Sequence, residues 1–225
     1  MVTIVQKAII RRRNMDLTLD FMDDLVENLV ENVKSDDNKT FEDIINLDGS
    51  LNREIYLSEI VDGVGSSVES YIRFWNRYDD QHHFTGEDRL PIKIYIDSPG
   101  GNLTDTYTMI DAIRMSKTPV YTICTGVAYS GGFFTFIAGD HRIAYPHASF
   151  LYHEGSVGQS ADAGKFRNFA DFYQKQLDQM KDVVLKYTNI DSETYENHKR
   201  DDWWMTAEEA LELGVVDEIA KEFID

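Results

Sequence analysis

The sequence predicts an α/β protein, and three stretches carry that prediction. Ile92–Ile96, Val120–Cys124 and Phe150–Tyr152 are short apolar runs with strand character. The first two run into glycine-bearing turns, Asp97–Gly101 and Gly126–Gly132, and helical spacing follows. Repeated strand–turn–helix units are the signature of this class. At 225 residues the chain fits one such domain with a sizeable core.

Taken in order, the chain begins with a segment of different character. Asp20 to Val33 places Phe21, Met22, Leu25, Val26, Leu29, Val30 and Val33 at spacings of three and four. That predicts an amphipathic helix with an acidic outer face. Ser35 to Thr40 is a polar break, a second acidic amphipathic piece runs to Asp48, and Gly49-Ser50 marks the entry to the main body. Residues 1–50 are therefore read as an acidic N-terminal extension and residues 51–225 as the main domain.

Within that domain, Ile55–Leu57 is a strand, and Val68 to Tyr78 has helical spacing through Tyr71, Ile72 and Trp75. Thr104 is the expected N-cap of a helix with Tyr107, Ile110 and Ile113 on one face. A helix of small residues is expected between Gly132 and Gly139, and the strand Phe150–Tyr152 ends on His153. The longest periodic stretch carries Phe166, Phe169, Tyr173, Leu177, Met180, Val184 and Tyr187 across about six turns. Such a stripe packs either on its own domain or, as a projecting helix, against a neighbouring subunit.

Composition excludes several functions. Hydrophobic residues make up 42 % and charged residues 28 %, as in ordinary soluble domains. No apolar run approaches the roughly 20 residues of a membrane helix. The first thirteen residues do not read as a secretory signal, because Arg11, Arg12 and Arg13 follow the apolar stretch instead of preceding it. A net charge of −18 argues against nucleic-acid and anionic-membrane partners. The imbalance is concentrated between Met15 and Asp48, where eleven acids meet two lysines. A single cysteine, Cys124, excludes an internal disulfide, so the expected compartment is cytoplasmic.

Two turns have chemical potential. Ser98-Pro99-Gly100-Gly101 presents backbone amides that glycine leaves uncovered. Gly126 to Gly132 puts Ser130 at a sharp strand-to-helix turn, with the Gly131 amide at a helix N-terminus. An oxyanion hole needs two such donors beside a nucleophile. His153, at the end of the next strand, can reach Ser130 as a general base. Taken singly, a serine between glycines is a turn residue and a strand-terminal histidine is structural. Ala128 also breaks the Gly-x-Ser-x-Gly pattern of the α/β-hydrolases.

Together these residues resemble the Clp protease proteolytic-subunit family. The resemblance lies in Ser98-Pro99-Gly100-Gly101, then Gly126-x-Ala128-x-Ser130, then a hydrophobic strand ending in His153. It resumes at Asp202 to Ala210, followed by Leu213 to Asp217, and covers roughly residues 50 to 220. It implies a crotonase-like fold of stacked ββα units with a projecting handle helix, for which Phe166 to Tyr187 is the candidate. By resemblance, Ser130 is the nucleophile, His153 the general base and Asp202 the acid. The amides of Gly101 and Gly131 form the oxyanion hole. Asp201 competes with Asp202 for the acid, and the spacing before Trp204-Met205-Thr206-Ala207 favours Asp202.

The family is a serine endopeptidase acting on unfolded polypeptides as stacked homo-oligomeric rings fed by an ATP-driven unfoldase of the AAA+ type. It needs no metal or nucleotide cofactor of its own. The sequence departs from the family in three places. Glu154 to Gln159 reaches the long helix sooner, the N-terminal extension is acidic, and Tyr129 and Gly131 flank the serine where smaller and larger residues, respectively, are commoner. A crotonase-type acyl-CoA enzyme, a non-catalytic ring subunit and a relative of the membrane-anchored signal-peptide peptidases are the alternatives.

Three further features are assigned no chemistry. His82-His83 are adjacent loop residues with no third ligand nearby in sequence. Cys124 is a core hydrophobe, and Trp203-Trp204 either forms a substrate groove or, as expected, has one of the two in the core.

Overall fold

The computed structural model describes residue 49 and residues 52–224. The expected helix over residues 20–33 and the acidic piece up to Asp48 lie outside the described residues.

Among the described residues, seven strands form one sheet. Strands β1 (Glu54–Ile60), β2 (Ile92–Gly101), β3 (Val120–Tyr129), β4 (His141–Ala144) and β7 (Glu218–Ile219) run parallel in the order β1-β2-β3-β4-β7. Strand β5 (Ser149–Tyr152) pairs with the outer half of β3, and β6 (Trp203–Thr206) adds to it antiparallel. Helices α1 (Val64–Gln81) and α2 (Leu103–Met115) follow β1 and β2. The short α3 (Gly131–Ile137) follows β3 and packs against β2 and β3. Helices α4 (Ala163–Tyr187), α5 (Ser192–His198) and α6 (Ala207–Glu212) complete the set.

The α/β class is as expected, but β2 and β3 run five residues further than their apolar cores, to Gly101 and Tyr129. The two glycine turns are therefore largely strand. Ile92, Ile94 and Ile96 are wholly buried, as the continuous apolar run of a covered parallel strand requires. Beyond Ile96 the register shifts to pair Ser98 with Ala128, so the strands continue through an irregularity. The N-cap of α2 is Asn102, not Thr104, because its side chain accepts from the amides of Thr104 and Asp105 at 2.8 and 3.1 Å. Helix α3 is also not a helix of small residues. It buries Phe133, Phe134 and Phe136 in the centre of the domain.

Two polar devices hold this framework. Asp79 at the end of α1 is 0 % exposed, receives a bidentate pair from Arg53 at 2.5 and 3.0 Å, and accepts from Thr118 Oγ1 at 2.6 Å. Arg53 also stacks 4.3 Å over the Trp75 ring. This ties the approach to β1, the end of α1 and the approach to β3 into one buried cluster. The second device is the Thr206–Glu209 capping box, in which each residue's side chain accepts from the other's amide, at 3.2 and 2.8 Å. It fixes the passage from β6 into α6.

Helix α4 divides along its length. Met180 and Val184 are buried, and Tyr107 Oη donates to the Gln176 carbonyl at 2.7 Å. Towards its start, Phe166 and Phe172 are 50 % and 57 % exposed. The C-terminal half packs on its own domain and the N-terminal half projects beyond it. Neither Trp203 nor Trp204 is core, and Trp204 is 56 % exposed.

Removing one member of a buried charge cluster strands the others. Asp79→Ala is expected to lower the stability of the folded chain by about 3–5 kcal/mol. Urea unfolding checks this, and a loss below about 1 kcal/mol contradicts a structural role for the cluster.

Candidate active site

The site is built where β2, β3 and β5 end. Strand β3 passes into α3 through one residue, Ser130, with φ 53° and ψ −121°. A positive φ in a residue with a Cβ costs on the order of 1–3 kcal/mol and persists only where the surroundings impose it. Two hydrogen bonds do so. The Ser130 amide donates to the Leu151 carbonyl of β5 at 2.9 Å, and its carbonyl accepts from Phe134 of α3 at 3.2 Å.

The Ser-Pro-Gly-Gly end of β2 closes against this turn. Gly100 has φ 96°, and a Cβ there would lie 2.8 Å from both Ser130 Cβ and the Gly131 amide nitrogen. At Gly101, with φ 150°, a Cβ would fall 2.0 Å from the Ile60 carbonyl oxygen. Only glycine permits these two backbones to approach so closely. Gly131 is small for a related reason, since a Cβ on it would stand 2.5 Å from Thr106 Oγ1. The same Cβ position is 3.4 Å from the Gly101 nitrogen, so the glycine amides of the two turns border one small space. As the first residue of α3, Gly131 has an amide with no acceptor within its helix.

The histidine and the acid meet through register. Antiparallel pairing sets Tyr152 against Trp203, so the next pair outward is His153 and Asp202. Their side chains share a face, with Nδ1 of His153 3.5 Å from Oδ1 of Asp202. Asp201 falls on the other side of the strand direction, 4.0 Å from Nδ1 of His198. Parallel pairing of Tyr129 with Leu151 starts Ser130 and His153 from neighbouring strand ends. Asp202 is 65 % exposed, and its contact with His153 is an ion-pair approach that is longer than a tight hydrogen bond.

Ser130, His153, Asp202, Gly101 and Gly131 thus all lie at the rim formed by β2, β3, β5 and β6. A hydroxyl at a strained turn, two backbone donors and a histidine–carboxylate pair are the parts that acyl transfer requires. Sequence reasoning gave no individual role to Gly100, the Leu151 carbonyl or Tyr129. The only sequence signal for Gly100 is its place in Ser-Pro-Gly-Gly. Tyr129 was marked in the sequence only by its bulk beside Ser130, and the Leu151 carbonyl emerges only from strand pairing. His82 is taken up by stacking on Tyr78 at 4.1 Å between ring centres. Burial pushes the Cys124 thiol up to about 12, which removes it as a nucleophile.

The Clp protease family model matches residues 84–223. The chain belongs to the Clp protease family. A relative with the same Clp assignment is the ATP-dependent Clp protease proteolytic subunit of Deinococcus radiodurans, 33 % identical over 130 residues. That match covers 57 % of this chain and 64 % of the relative, so the chain spans just under two thirds of the Clp subunit it resembles. Among the described residues no helix is long and apolar enough to cross a membrane.

The glycine requirement can be tested by contrast. Gly100→Ala is expected to destabilise the chain by about 2–3 kcal/mol, from left-handed backbone strain and contact with Ser130. Gly158→Ala, where an added Cβ meets nothing within 4 Å, is expected to be neutral within about 0.5 kcal/mol. Urea midpoints of the two variants provide the comparison.

Proposed function

We propose that this chain is a serine endopeptidase that cleaves unfolded polypeptides or short peptides through an acyl-enzyme, as the proteolytic chamber of a Clp-type ATP-dependent protease. The observation that carries the reading is the pairing of His153 with Asp202 beside the strained Ser130 turn, in a member of this family.

In this mechanism Ser130 Oγ attacks the scissile carbonyl while His153 Nε2 takes its proton. Asp202, on the Nδ1 side, holds the tautomer that leaves Nε2 facing the serine and stabilises the imidazolium. The carbonyl oxygen gathers negative charge and is met by the amides of Gly101 and Gly131. His153 then returns the proton to the departing amine, leaving an ester on Ser130. Water, activated by the same imidazole, releases the acid and restores the serine. All of these steps use groups of the chain itself, without metal or nucleotide.

The assembly follows from the same reading. A homo-oligomer of stacked rings would cover the projecting half of α4, whose Phe166 and Phe172 are half-exposed. An AAA+ unfoldase would deliver the unfolded chains, and a cytoplasmic setting suits a single buried thiol. The acyl-CoA and non-catalytic alternatives gain no support from the family match, and neither explains the His153–Asp202 pair.

A fluorophosphonate is expected to modify the wild-type chain at Ser130 and leave Ser130→Ala unmodified. His153→Ala and Asp202→Asn are expected to slow modification and peptide hydrolysis by about a thousand-fold or more, with Asp201→Asn close to wild type. A wild-type chain that does not react at all would end the peptidase reading.

A further inference from the structure

We infer that Tyr129 and Trp204 form an aromatic arch that positions the nucleophile, the base and the acid together. Resting on the peptidase reading of the site, this assigns both residues as positioning residues.

The row Tyr129–Leu151–Trp204 runs across β3, β5 and β6 in register. Alternation places all three side chains on the face that also carries His153 and Asp202. The Tyr129 and Trp204 rings meet edge to face, with centroids 5.0 Å apart and planes at 85°. They meet above Leu151, which stands between them in the row and is only 7 % exposed. Tyr129 Oη is 2.7 Å from Ser149 Oγ, which adds a tie to β5.

Each anchor of the arch is adjacent to a functional group. Tyr129 directly precedes Ser130, whose unfavourable backbone conformation has to be held from outside. Leu151, beneath the rings, supplies the carbonyl that binds the Ser130 amide and stands two residues before His153. Trp204 stands two residues after Asp202. One aromatic contact therefore spans β5 and links the strand that ends at the serine to the strand that begins with the acid. It also accounts for a large residue at position 129, next to a serine where the family resemblance leads one to expect a small one. Helix α3 and Gly100 also bear on Ser130.

Four variants test the arch: Tyr129→Ala, Tyr129→Phe, Trp204→Ala and the double alanine. The readouts are the rate of fluorophosphonate modification of Ser130 and the kcat and KM for a short peptide, with thermal unfolding in parallel. Tyr129→Ala and Trp204→Ala are each expected to lower the modification rate and kcat by about ten- to a hundred-fold, with KM changed by less than about threefold. Tyr129→Phe, which keeps the ring contact, is expected to recover to within about threefold of wild type. The double variant is expected to be no slower than the worse single one, because both changes remove one shared contact.

Losses that multiply in the double variant would overturn the inference. So would single alanine variants that react at the wild-type rate while only melting earlier. Trp204 is largely exposed, so Trp204→Ala keeps the test decisive if Tyr129→Ala does not fold. A wild-type chain inert to the probe would overturn the peptidase reading and the arch together. Reactive wild type with fully reactive alanine variants would overturn the arch alone.

Discussion

The structure depends on one constraint: Ser130 must sit with positive φ between the end of β3 and the start of α3. No residue with a Cβ adopts that geometry cheaply, so neighbouring elements must impose it. The Leu151 carbonyl fixes the amide, α3 fixes the carbonyl, and Gly100 occupies the space directly beside the Cβ. That last contact explains why position 100 must be glycine. The Ile60 carbonyl, 2.0 Å from where a Gly101 Cβ would be, carries the same demand into β1. A local backbone choice at one serine thus propagates across three strands.

Register supplies the second half of the site. Pairing of β5 with β6 brings His153 opposite Asp202, although the two are far apart in sequence. A slip of one residue would place Asp201 there and turn every side chain of β6 to the other face. Buried Met205 and the Thr206–Glu209 capping box oppose such a slip, because one demands the core face and the other locks the strand's exit. The tract Thr206-Ala207-Glu208-Glu209-Ala210 therefore has a plain structural use: it sets which aspartate faces the histidine.

Much of this was legible in the sequence. The α/β class followed from the buried runs Ile92–Ile96 and Val120–Cys124, and α4 from its stripe of apolar residues. The site residues could be named because Ser-Pro-Gly-Gly, the Ser130 turn, His153 and Asp202 fall in an order that resembles one family. The extensions of β2 and β3 were not legible, because glycine, serine and proline are the ordinary vocabulary of turns. Here close backbone approach overrides that preference. Strands β4, β6 and β7 were missed for a different reason: at four, four and two residues they are defined by their partners more than by any period. The cap of α2 was misplaced because both Asn102 and Thr104 are good caps, and only the geometry distinguishes them.

The central claim is that Ser130 and His153 act together on one bound substrate, and a peptidyl chloromethyl ketone tests it most directly. The serine adds to the ketone carbonyl, and the neighbouring imidazole displaces chloride to form a carbon–nitrogen bond. Peptide mapping by mass spectrometry is predicted to find the adduct on His153 in the wild-type chain and none on His153 in Ser130→Ala. Alkylation of His153 at the same rate in both chains, or alkylation only at other histidines, would contradict the account.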